Sequence, residues 1–298
     1  MTKLTRRDAA VLGAAALLAG PARAQTAEAP LILRSIPSTG EKLPPVGLGT
    51  AQVFDADDER TQKAAAQVLR TLVEAGGRLV DTASTYGEAE VVLGKVTEQA
   101  GSRDKMFIAT KLEEPNAAEL DRSLRRLNTA KLDLLQLHNV SSRRQSLARF
   151  KSWKERGVCR YVGVTSTYHD DFPAVEAVLR REKPDFVQID YSLDNRVAER
   201  RILPLATEAR AAVLTALPFG RGRLFRAVRG KQIPGWAQGF AGSWAQFFLK
   251  YLIGDERITA VIPGTSNPAH MADNLGAMRG RLPDADERKR MAAFVDAL

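Results

Sequence analysis

Short apolar runs alternate with amphipathic segments along most of the chain. Eight of these runs have the length of buried strands and are bounded by loop residues. The segments between them repeat apolar side chains with helical spacing, as in Ala65, Val68 and Leu72, and this spacing predicts helices with one buried face. The eight predicted strands are residues 46–49, 79–80, 106–109, 132–137, 161–164, 186–189, 212–216 and 259–262.

The alternation predicts an α/β fold with parallel strands, because strands that are joined through a helix pair in parallel by a right-handed crossover. Eight such units close a (β/α)8 TIM barrel, which typically takes about 250 residues, whereas an open doubly wound sheet usually has about five or six strands. Residues 31–36 and 42–43, with a turn at Thr39 and Gly40, predict a β-hairpin before the first unit. We therefore expect residues 25–298 to form a single (β/α)8 TIM barrel domain with an N-terminal β-hairpin.

Several helix ends and one long loop are also visible in the pattern. Asn116 and Glu119 form a predicted capping pair, and Gly76 with Gly77 predicts the end of the first helix. The interval between the last two strands is irregular, since residues 219–242 are rich in glycine and arginine. Long loops in barrels are usually functional, so we expect this loop to contribute to a binding site.

The first 24 residues have the order of an export signal. Arg6 and Arg7 precede an apolar run at residues 9–20, and a small-residue site ends at Ala24. This order predicts a twin-arginine-type signal peptide over residues 1–24, cleaved after Ala24. The alternative is a membrane anchor, but a spanning helix needs about 20 apolar residues and this run is shorter. We expect the twin-arginine export machinery as a partner, no stable membrane insertion, and a periplasmic or exported protein that stays cytoplasmic if the signal is inefficient.

Composition narrows the function classes further. The chain has 298 residues, of which 44% are hydrophobic and 27% charged, as in a globular protein. A single cysteine, Cys159, excludes an intrachain disulfide, and the three histidines lack the spacing of metal ligands, so no metal site is expected. The net charge is +9, of which the predicted signal peptide contributes three and leaves +6. Because no nucleic-acid-binding motif accompanies this charge, we expect no nucleic acid as a partner.

Four ionisable residues follow predicted strands where a parallel barrel builds its active site. In this architecture the carboxyl ends of the strands carry the functional side chains. Asp81 and Tyr86 follow the second predicted strand, Lys111 follows the third, and His138 follows the fourth. We therefore expect these four side chains to converge on one rim of the barrel.

This set suits proton transfer at a carbonyl or an alcohol. A tyrosine has an unperturbed pKa of about 10, and an adjacent ammonium lowers that pKa by stabilising the phenolate. Lys111 can supply the ammonium, Asp81 can keep the lysine charged and oriented, and His138 can hydrogen-bond a substrate oxygen. Each residue alone also has an ordinary explanation, as a helix cap, a packed ring, a surface lysine or a core histidine. Their occurrence together at matching strand ends favours the catalytic hypothesis.

Seven stretches of the chain carry a more specific pattern. They are STGEKLPPVGLGT, LVDTASTYGEAEVVLG, FIATKL, LDLLQLHNV, ERGVCRYVGVTS, FVQIDYS and VIPGTSNPAHMADNL. In this order and spacing they resemble the aldo-keto reductase family, and the resemblance extends from Leu31 almost to the C-terminus. The four catalytic positions of the family fall on Asp81, Tyr86, Lys111 and His138 without substitution.

The resemblance implies an NADPH-dependent oxidoreductase that reduces an aldehyde or ketone to an alcohol. Tyr86 would act as the general acid, assisted by Lys111, Asp81 and His138, and a small carbonyl compound would be the substrate. NADH is the alternative reductant. A competing hypothesis is a catalytically silent nucleotide-binding barrel with a regulatory or binding role, since a fold does not fix a function.

The same resemblance implies a set of cofactor-binding and substrate-lining residues. Gln188 would hold the nicotinamide carboxamide, with Thr165 and Ser166 beside it. Ala216 stands where the family commonly stacks a tyrosine on the nicotinamide, which leaves Phe219 or another aromatic residue of the loop as a substitute. The implied cofactor-binding residues are Gly49, Thr50, Thr165, Ser166, Gln188, Phe219, Gly220, Arg221, Gly264, Thr265, His270, Asp273 and Asn274, and the implied substrate-lining residues are Val53 and Phe54.

The arginines of the 219–242 loop allow two interpretations. Arg221 and Arg223, with His270, can supply positive charge to the 2′-phosphate of NADPH, and we therefore predict a modest preference for NADPH over NADH. Alternatively, all four arginines of the loop form a solvated basic face. The residues concerned are Arg221, Arg223, Arg226 and Arg229.

Overall fold

The computed structural model describes residues 29–298, so the predicted signal peptide at residues 1–24 lies outside the described residues. A β-hairpin opens the described chain, in which β1 (Arg34–Ser35) pairs antiparallel with β2 (Lys42–Leu43). Gly40 lies in the turn between them at φ +80°, a left-handed conformation that glycine adopts without strain. The predicted hairpin is therefore confirmed, with strands of two residues each.

Eight parallel strands of the described chain form one barrel. Each strand pairs with its neighbours in the sequence, from β3 to β10. The two outermost strands also meet, because Val46 bridges Val261 and Gly49 bridges Gly264 in parallel, and the sheet closes on itself. The predicted (β/α)8 fold is confirmed. The strands are β3 (Leu48–Gly49), β4 (Leu79–Asp81), β5 (Phe107–Leu112), β6 (Leu132–Leu137), β7 (Cys159–Ser166), β8 (Phe186–Asp190), β9 (Ala212–Ala216) and β10 (Ala260–Val261).

Helices follow the strands, and their buried faces match the predicted periodicity. In the first helix, Ala65, Val68, Leu69 and Leu72 are buried. Within residues 29–298, no helix combines the length and apolar content needed to span a bilayer. The helices are α1 (Glu59–Glu74), α2 (Ala89–Gln99), α3 (Ala117–Arg126), α4 (Ala148–Glu155), α5 (Phe172–Glu182), α6 (Ala198–Ala209), α7 (Arg223–Ala227), α8 (Trp244–Ile253), α9 (Pro268–Gly276) and α10 (Ala285–Asp296).

The hydrophobic core has two parts, because side chains of a barrel strand alternate between its inside and its outside. The larger part includes the buried faces of the helices and the strand residues that pack against them. The smaller part joins Ile36 and Leu43 of the hairpin region to Phe107 and Phe186, all completely buried. Phe107 and Phe186 begin β5 and β8, so the hairpin closes the amino-terminal end of the barrel. The carboxyl ends of the strands form the opposite end.

Polar residues extend several strands beyond their predicted ends. β4 includes Asp81, β5 continues through Lys111, and β8 includes Asp190. A polar side chain interrupts an apolar pattern, but its backbone still pairs with the neighbouring strand. Hydrophobic periodicity therefore predicts that these strands end earlier than they do, at the end where the polar side chains lie.

One predicted capping contact is wrong. Asn116 does cap α3, since its side chain accepts hydrogen bonds from the backbone of Ala118 and Glu119. The Glu119 carboxylate instead accepts from the Ser84 hydroxyl at 2.5 Å. Ser84 lies in the loop after β4. The Glu119 carboxylate is therefore bonded to a residue distant in the sequence and not to the backbone N–H at the start of its own helix, as a capping box would require.

Candidate active site

Two buried charges lie at the carboxyl ends of β4 and β5. Lys111 donates from Nζ to Asp81 Oδ2 at 2.6 Å and to the carbonyl oxygen of Thr82 at 2.7 Å. Asp81 ends β4, which pairs with β5, and both side chains are almost completely buried. A charge removed from water requires a close partner, and each of these charges provides one for the other.

The ion pair determines the charge state of Lys111. Burial by itself lowers the pKa of a lysine, but the Asp81 carboxylate, with a smaller contribution from Tyr86, raises the pKa of Lys111 above its ordinary value. Lys111 is therefore an ammonium at neutral pH. Its Nζ lies 4.9 Å from the centroid of the Tyr86 ring, so a buried cation is held beside a phenol.

Tyr86 and His138 complete the cluster. Tyr86 lies in the loop between β4 and α2 and is partly exposed, and His138 directly follows β6. Their ring centroids are 5.8 Å apart with the planes at 75°. The structure thus brings together the four predicted residues, which are called the tetrad below: Asp81, Tyr86, Lys111 and His138.

The environment of His138 favours the neutral form of its imidazole. Burial and the positive charge of Lys111 lower its pKa below the ordinary value, and they outweigh the opposite effect of Glu113. Glu113 Oε1 lies 2.6 Å from His138 Nδ1, but the alignment of the two groups is outside hydrogen-bond geometry. Glu113 is absent from the predicted site residues, although it comes only two positions after Lys111.

Two buried glutamines join the ion pair inside the barrel. Gln136 donates from Nε2 to Gln188 Oε1 at 2.9 Å, and Gln188 donates from Nε2 to Asp81 Oδ2 at 3.3 Å. Gln188 is a predicted site residue, whereas Gln136 was missed. The sequence does contain a signal for Gln136, since it is a glutamine within the mostly apolar run of β6. A glutamine that is buried with such a strand requires polar partners.

The carboxyl end of β7 lies beside Gln188. Thr165 pairs in register with Gln188, and its hydroxyl oxygen accepts from the backbone N–H of Asn139 at 3.0 Å. Ser166 donates to the Asp171 carboxylate at 3.0 Å. The predicted group of Thr165, Ser166 and Gln188 is therefore contiguous, although the Ser166 hydroxyl bonds to its own loop.

Two glycines approach each other where the barrel closes. A Cβ on Gly49 would lie 3.0 Å from the carbonyl oxygen of Ile262, and a Cβ on Gly264 would lie 3.3 Å from the carbonyl oxygen of Gly49. Thr50 is fully buried. These residues leave a narrow backbone surface without side chains between the first and last barrel strands.

The loop after β10 leads into the N-terminus of α9. Thr265 Oγ1 accepts from the backbone N–H of Asn267 at 3.1 Å, and Asn267 caps the helix by accepting from the N–H of Ala269 at 2.9 Å. His270 lies exposed in the first turn. Backbone N–H groups and the helix dipole favour an anion at such a position, which agrees with the predicted phosphate contact.

Asp273 and Asn274 lie further along α9. Asp273 Oδ1 accepts from Gln246 Nε2 of α8 at 2.8 Å, and Asn274 is almost completely buried. The Asp273 side chain therefore contributes to the contact between α8 and α9, and the Asn274 side chain is packed inside the protein. Their predicted role in cofactor binding competes with this packing role.

The loop after β9 is joined to the loop after β8. Arg223 Nε donates to Asp194 Oδ2 at 2.8 Å. Gly220 has φ +56°, and a Cβ there would lie 2.5 Å from Asp194 Oδ1, so the position requires glycine. Arg221 has φ +53° and an exposed side chain. The Asp194–Arg223 pair thus fixes one end of the predicted binding loop.

The apolar residues predicted to line the substrate or cofactor site differ in how far their side chains are exposed. Phe54 is completely buried in the hydrophobic core, which favours packing over the predicted contact with substrate. Val53 is only partly buried. Phe219 is also partly buried, and its ring centroid lies 4.8 Å from that of Phe225 and 6.5 Å from that of Phe248. Phe219 therefore belongs to an aromatic cluster with α7 and α8.

Several of the buried polar atoms that lack a protein partner among the described residues lie near the carboxyl ends of the strands, while Arg34 Nε, Glu90 Oε2 and Ser123 Oγ lie elsewhere. Buried polar groups normally have a hydrogen-bond partner, so the atoms at the strand ends favour a polar ligand at this end of the barrel. No group of three or more metal-ligating side chains occurs within the described residues. The atoms concerned are Thr50 Oγ1, Thr82 Oγ1, Gln136 Oε1, Asp190 Oδ1 and Thr215 Oγ1.

Comparisons with known sequences identify similar proteins. The model of the Aldo/keto reductase family matches residues 45–294. Methylglyoxal reductase YeaE of Escherichia coli is 30% identical over 257 residues, which cover 82% of this chain and 88% of that protein. An aldo-keto reductase of Mycolicibacterium smegmatis is 29% identical over 269 residues, which cover 85% of this chain and 88% of that protein.

Solved structures of similar proteins share the fold. An aldo-keto reductase from Klebsiella pneumoniae in complex with NADPH has a TM-score of 0.74 at 24% identity, and the match covers 89% of this chain and 96% of that one. An aldo/keto reductase from Klebsiella pneumoniae in complex with NADP and acetate has a TM-score of 0.72 at 25% identity, over 86% of this chain and 93% of that one. Because the family model and the relative at 30% identity both span most of the chain, this protein belongs to the aldo/keto reductase family of oxidoreductases.

Proposed function

We propose that this protein reduces an aldehyde or ketone to an alcohol, with NADPH as the reductant and Tyr86 as the general acid. The observation that carries the proposal is the position of Lys111. Its ammonium lies 2.6 Å from Asp81 Oδ2 and 4.9 Å from the centroid of the Tyr86 ring. A cation beside a phenol stabilises the phenolate that remains when the proton leaves.

Each member of the tetrad has a separate part in the reaction. Tyr86 donates its hydroxyl proton to the carbonyl oxygen as negative charge develops there. Lys111 stabilises the resulting phenolate, and Asp81 keeps Lys111 charged and in place. His138 donates a ring N–H to the same substrate oxygen.

The strand ends fit a dinucleotide. Gly49 and Gly264 expose backbone where the barrel closes, the N-terminus of α9 suits a phosphate, and Thr50 Oγ1 and Gln136 Oε1 are buried without protein partners. The two Klebsiella pneumoniae proteins were solved with NADPH or NADP. When bound, the cofactor supplies the hydride for the carbonyl carbon.

We assign the predicted preference for NADPH over NADH to Arg221. Its exposed side chain forms no ion pair with a described residue, whereas Asp194 neutralises Arg223. We expect Arg221→Asn to lower kcat/KM for NADPH about tenfold with little effect on NADH, because a charge that binds the 2′-phosphate would have no counterpart in NADH. Asparagine tolerates the left-handed backbone at this position. Arg226→Gln, an exposed arginine of α7, is the control, and equal kcat/KM for NADPH and NADH in the wild type would contradict the assignment.

Purified mature protein, NADPH and a panel of activated aldehydes and quinones test the activity. We expect Tyr86→Phe to reduce the rate of NADPH oxidation by roughly 10²–10⁴-fold, because the variant lacks the donated proton. The Kd for NADPH, measured by fluorescence, should change little. A wild-type protein that binds NADPH but turns over no faster than Tyr86→Phe is instead a catalytically silent barrel with a binding role.

We infer from the order of residues 1–24 that the protein is exported by the twin-arginine route. This route carries folded proteins, so the barrel can bind its cofactor before export. Fractionation followed by N-terminal sequencing tests the inference. A periplasmic form beginning at Gln25 supports export, and an intact N-terminus confined to the cytoplasm contradicts it.

A further inference from the structure

Glu113 is an acidic residue next to the tetrad that the proposed reaction does not use. It follows β5 directly, just as His138 follows β6. Leu112 and Leu137 pair in register at the ends of these strands, and the His138 N–H donates to the carbonyl oxygen of Leu112 at 2.8 Å. Sheet pairing therefore places Glu113 beside His138.

The Glu113 carboxylate is both close to the tetrad and open to solvent. Its Oε1 lies 2.6 Å from His138 Nδ1, while the side chain remains 45% exposed. The Thr85 hydroxyl donates to the same oxygen at 3.3 Å and helps to hold it there. A substrate carbonyl in contact with His138 is therefore separated from this carboxylate by about the width of one imidazole ring.

Within residues 29–298, Glu113 lacks a lysine or arginine as an ion-pair partner. His138 is its only basic partner there, and burial together with Lys111 lowers the pKa of His138 and so favours the uncharged imidazole. Lys111 is itself paired with Asp81. Glu114, the next residue, is exposed and adds a second negative charge to the same loop. The surface beside His138 is therefore negative.

Resting on the proposed carbonyl reduction, we propose that Glu113 is a specificity-determining residue that favours uncharged aldehydes and ketones and disfavours carbonyl substrates that carry a carboxylate, such as 2-oxo acids. A substrate carboxylate must approach Glu113 when its carbonyl reaches His138 and Tyr86. Like charges about 7 Å apart repel by an amount that corresponds to roughly a 3- to 50-fold change in affinity, depending on the local dielectric.

Two aldehydes that differ only in charge test this proposal: 4-formylbenzoate and its methyl ester. The quantity to measure is the ratio of kcat/KM for the ester to kcat/KM for the acid. We expect Glu113→Gln to lower this ratio about tenfold, mainly by raising kcat/KM for the acid. Effects of the substitution on His138 act on both aldehydes and cancel in the ratio, so a merely structural role would leave the ratio unchanged.

Glu114→Gln is the matched control, because it removes the same charge one residue further from His138. We expect it to change the ratio by less than about twofold. An unchanged ratio in Glu113→Gln, or an equal change in Glu114→Gln, would overturn the proposal.

Failure of the proposed function gives a different result. In that case the wild type reduces neither aldehyde faster than Tyr86→Phe does. The two compounds are then compared by their Kd values for the NADPH-loaded protein, which are measured from the change in nucleotide fluorescence. A ratio of Kd values that moves with Glu113→Gln supports selection by charge, and an unmoved ratio refutes it.

Discussion

Lys111 and Asp81 show how single residues set the chemistry of the site. Their side chains are 1% and 4% exposed, so neither charge is solvated by water. The ion pair at 2.6 Å is stable because Asp81 also accepts from Gln188, and Lys111 also donates to the Thr82 carbonyl. The tetrad therefore contains one buried ion pair beside a phenol and an imidazole whose pKa is lowered.

Lys111→Met leaves the Asp81 carboxylate buried without a counter-ion. We expect the free energy of unfolding to fall by about 3–5 kcal/mol, as measured by urea denaturation. The rate of NADPH oxidation should fall at least about 100-fold, since the phenolate loses its cation. The double variant Lys111→Met/Asp81→Asn should regain part of the stability but not the activity. Full stability in the single variant would contradict this account of the pair.

At the scale of elements, α8 contains a buried lysine that is held by carbonyl groups. Lys250 donates from Nζ to the carbonyl oxygens of Arg279 and Arg281 at 2.7 and 2.9 Å, and so ties α8 to the loop between α9 and α10. Its side chain is almost completely buried. Burial, with a further contribution from the Arg281 guanidinium, lowers the pKa of Lys250 to about 8.

This pKa predicts how stability depends on pH. An unfolded lysine has a pKa of about 10.4, so the unfolded chain binds more protons than the folded chain between that value and about 8. The contribution of Lys250 to stability is therefore unfavourable below pH 8 and improves as the pH rises through this window. Lys250→Met removes the titration.

The measurement is urea unfolding of both proteins near neutral pH and at about pH 10. We expect the stability of the wild type relative to Lys250→Met to increase by on the order of 1–3 kcal/mol over this range. Lys63→Met, which removes an exposed lysine of α1, controls for the loss of one charge. Parallel pH curves for wild type and Lys250→Met would contradict the prediction.

At the scale of the whole barrel, the hairpin and the proposed active site lie at opposite ends. The hairpin closes the amino-terminal end with Ile36 and Leu43, which pack on the first residues of β5 and β8. The tetrad lies at the carboxyl ends of β4 to β6. In this fold, side chains at the amino-terminal face contribute to stability and those at the opposite face to function.

Ile36→Ala tests this separation. We expect the free energy of unfolding to fall by about 2–5 kcal/mol, because the substitution creates a cavity at a fully buried position. Below the unfolding transition, kcat/KM should stay within about twofold of the wild type, since the site lies at the other end. Leu33→Ala, at a 48% exposed position of the same segment, should change stability by less than about 0.5 kcal/mol. A fall in kcat/KM for folded Ile36→Ala would show that the two ends are coupled.

Local patterns were sufficient to predict the architecture and the convergence of the four tetrad side chains. Apolar runs that alternate with helical spacing predict eight strands in sequential order, because periodicity is a property of neighbouring residues. Once the strands are parallel, polar residues at their carboxyl ends must meet, and Asp81, Lys111 and His138 do so. The carboxyl ends of β4, β5 and β8 were predicted too early, because polar side chains hide continued backbone pairing.

Contacts between distant residues required the folded chain. Glu119 bonds to Ser84 and not back to its own helix cap, and Glu113 lies against His138 because β5 and β6 end in register. Gln136 joins Gln188 across the barrel. Each of these contacts depends on which strands are neighbours and on which of several possible partners bonds to a buried polar group. The positions of those partners are set by the folded chain, so no spacing along the sequence predicts which contact forms.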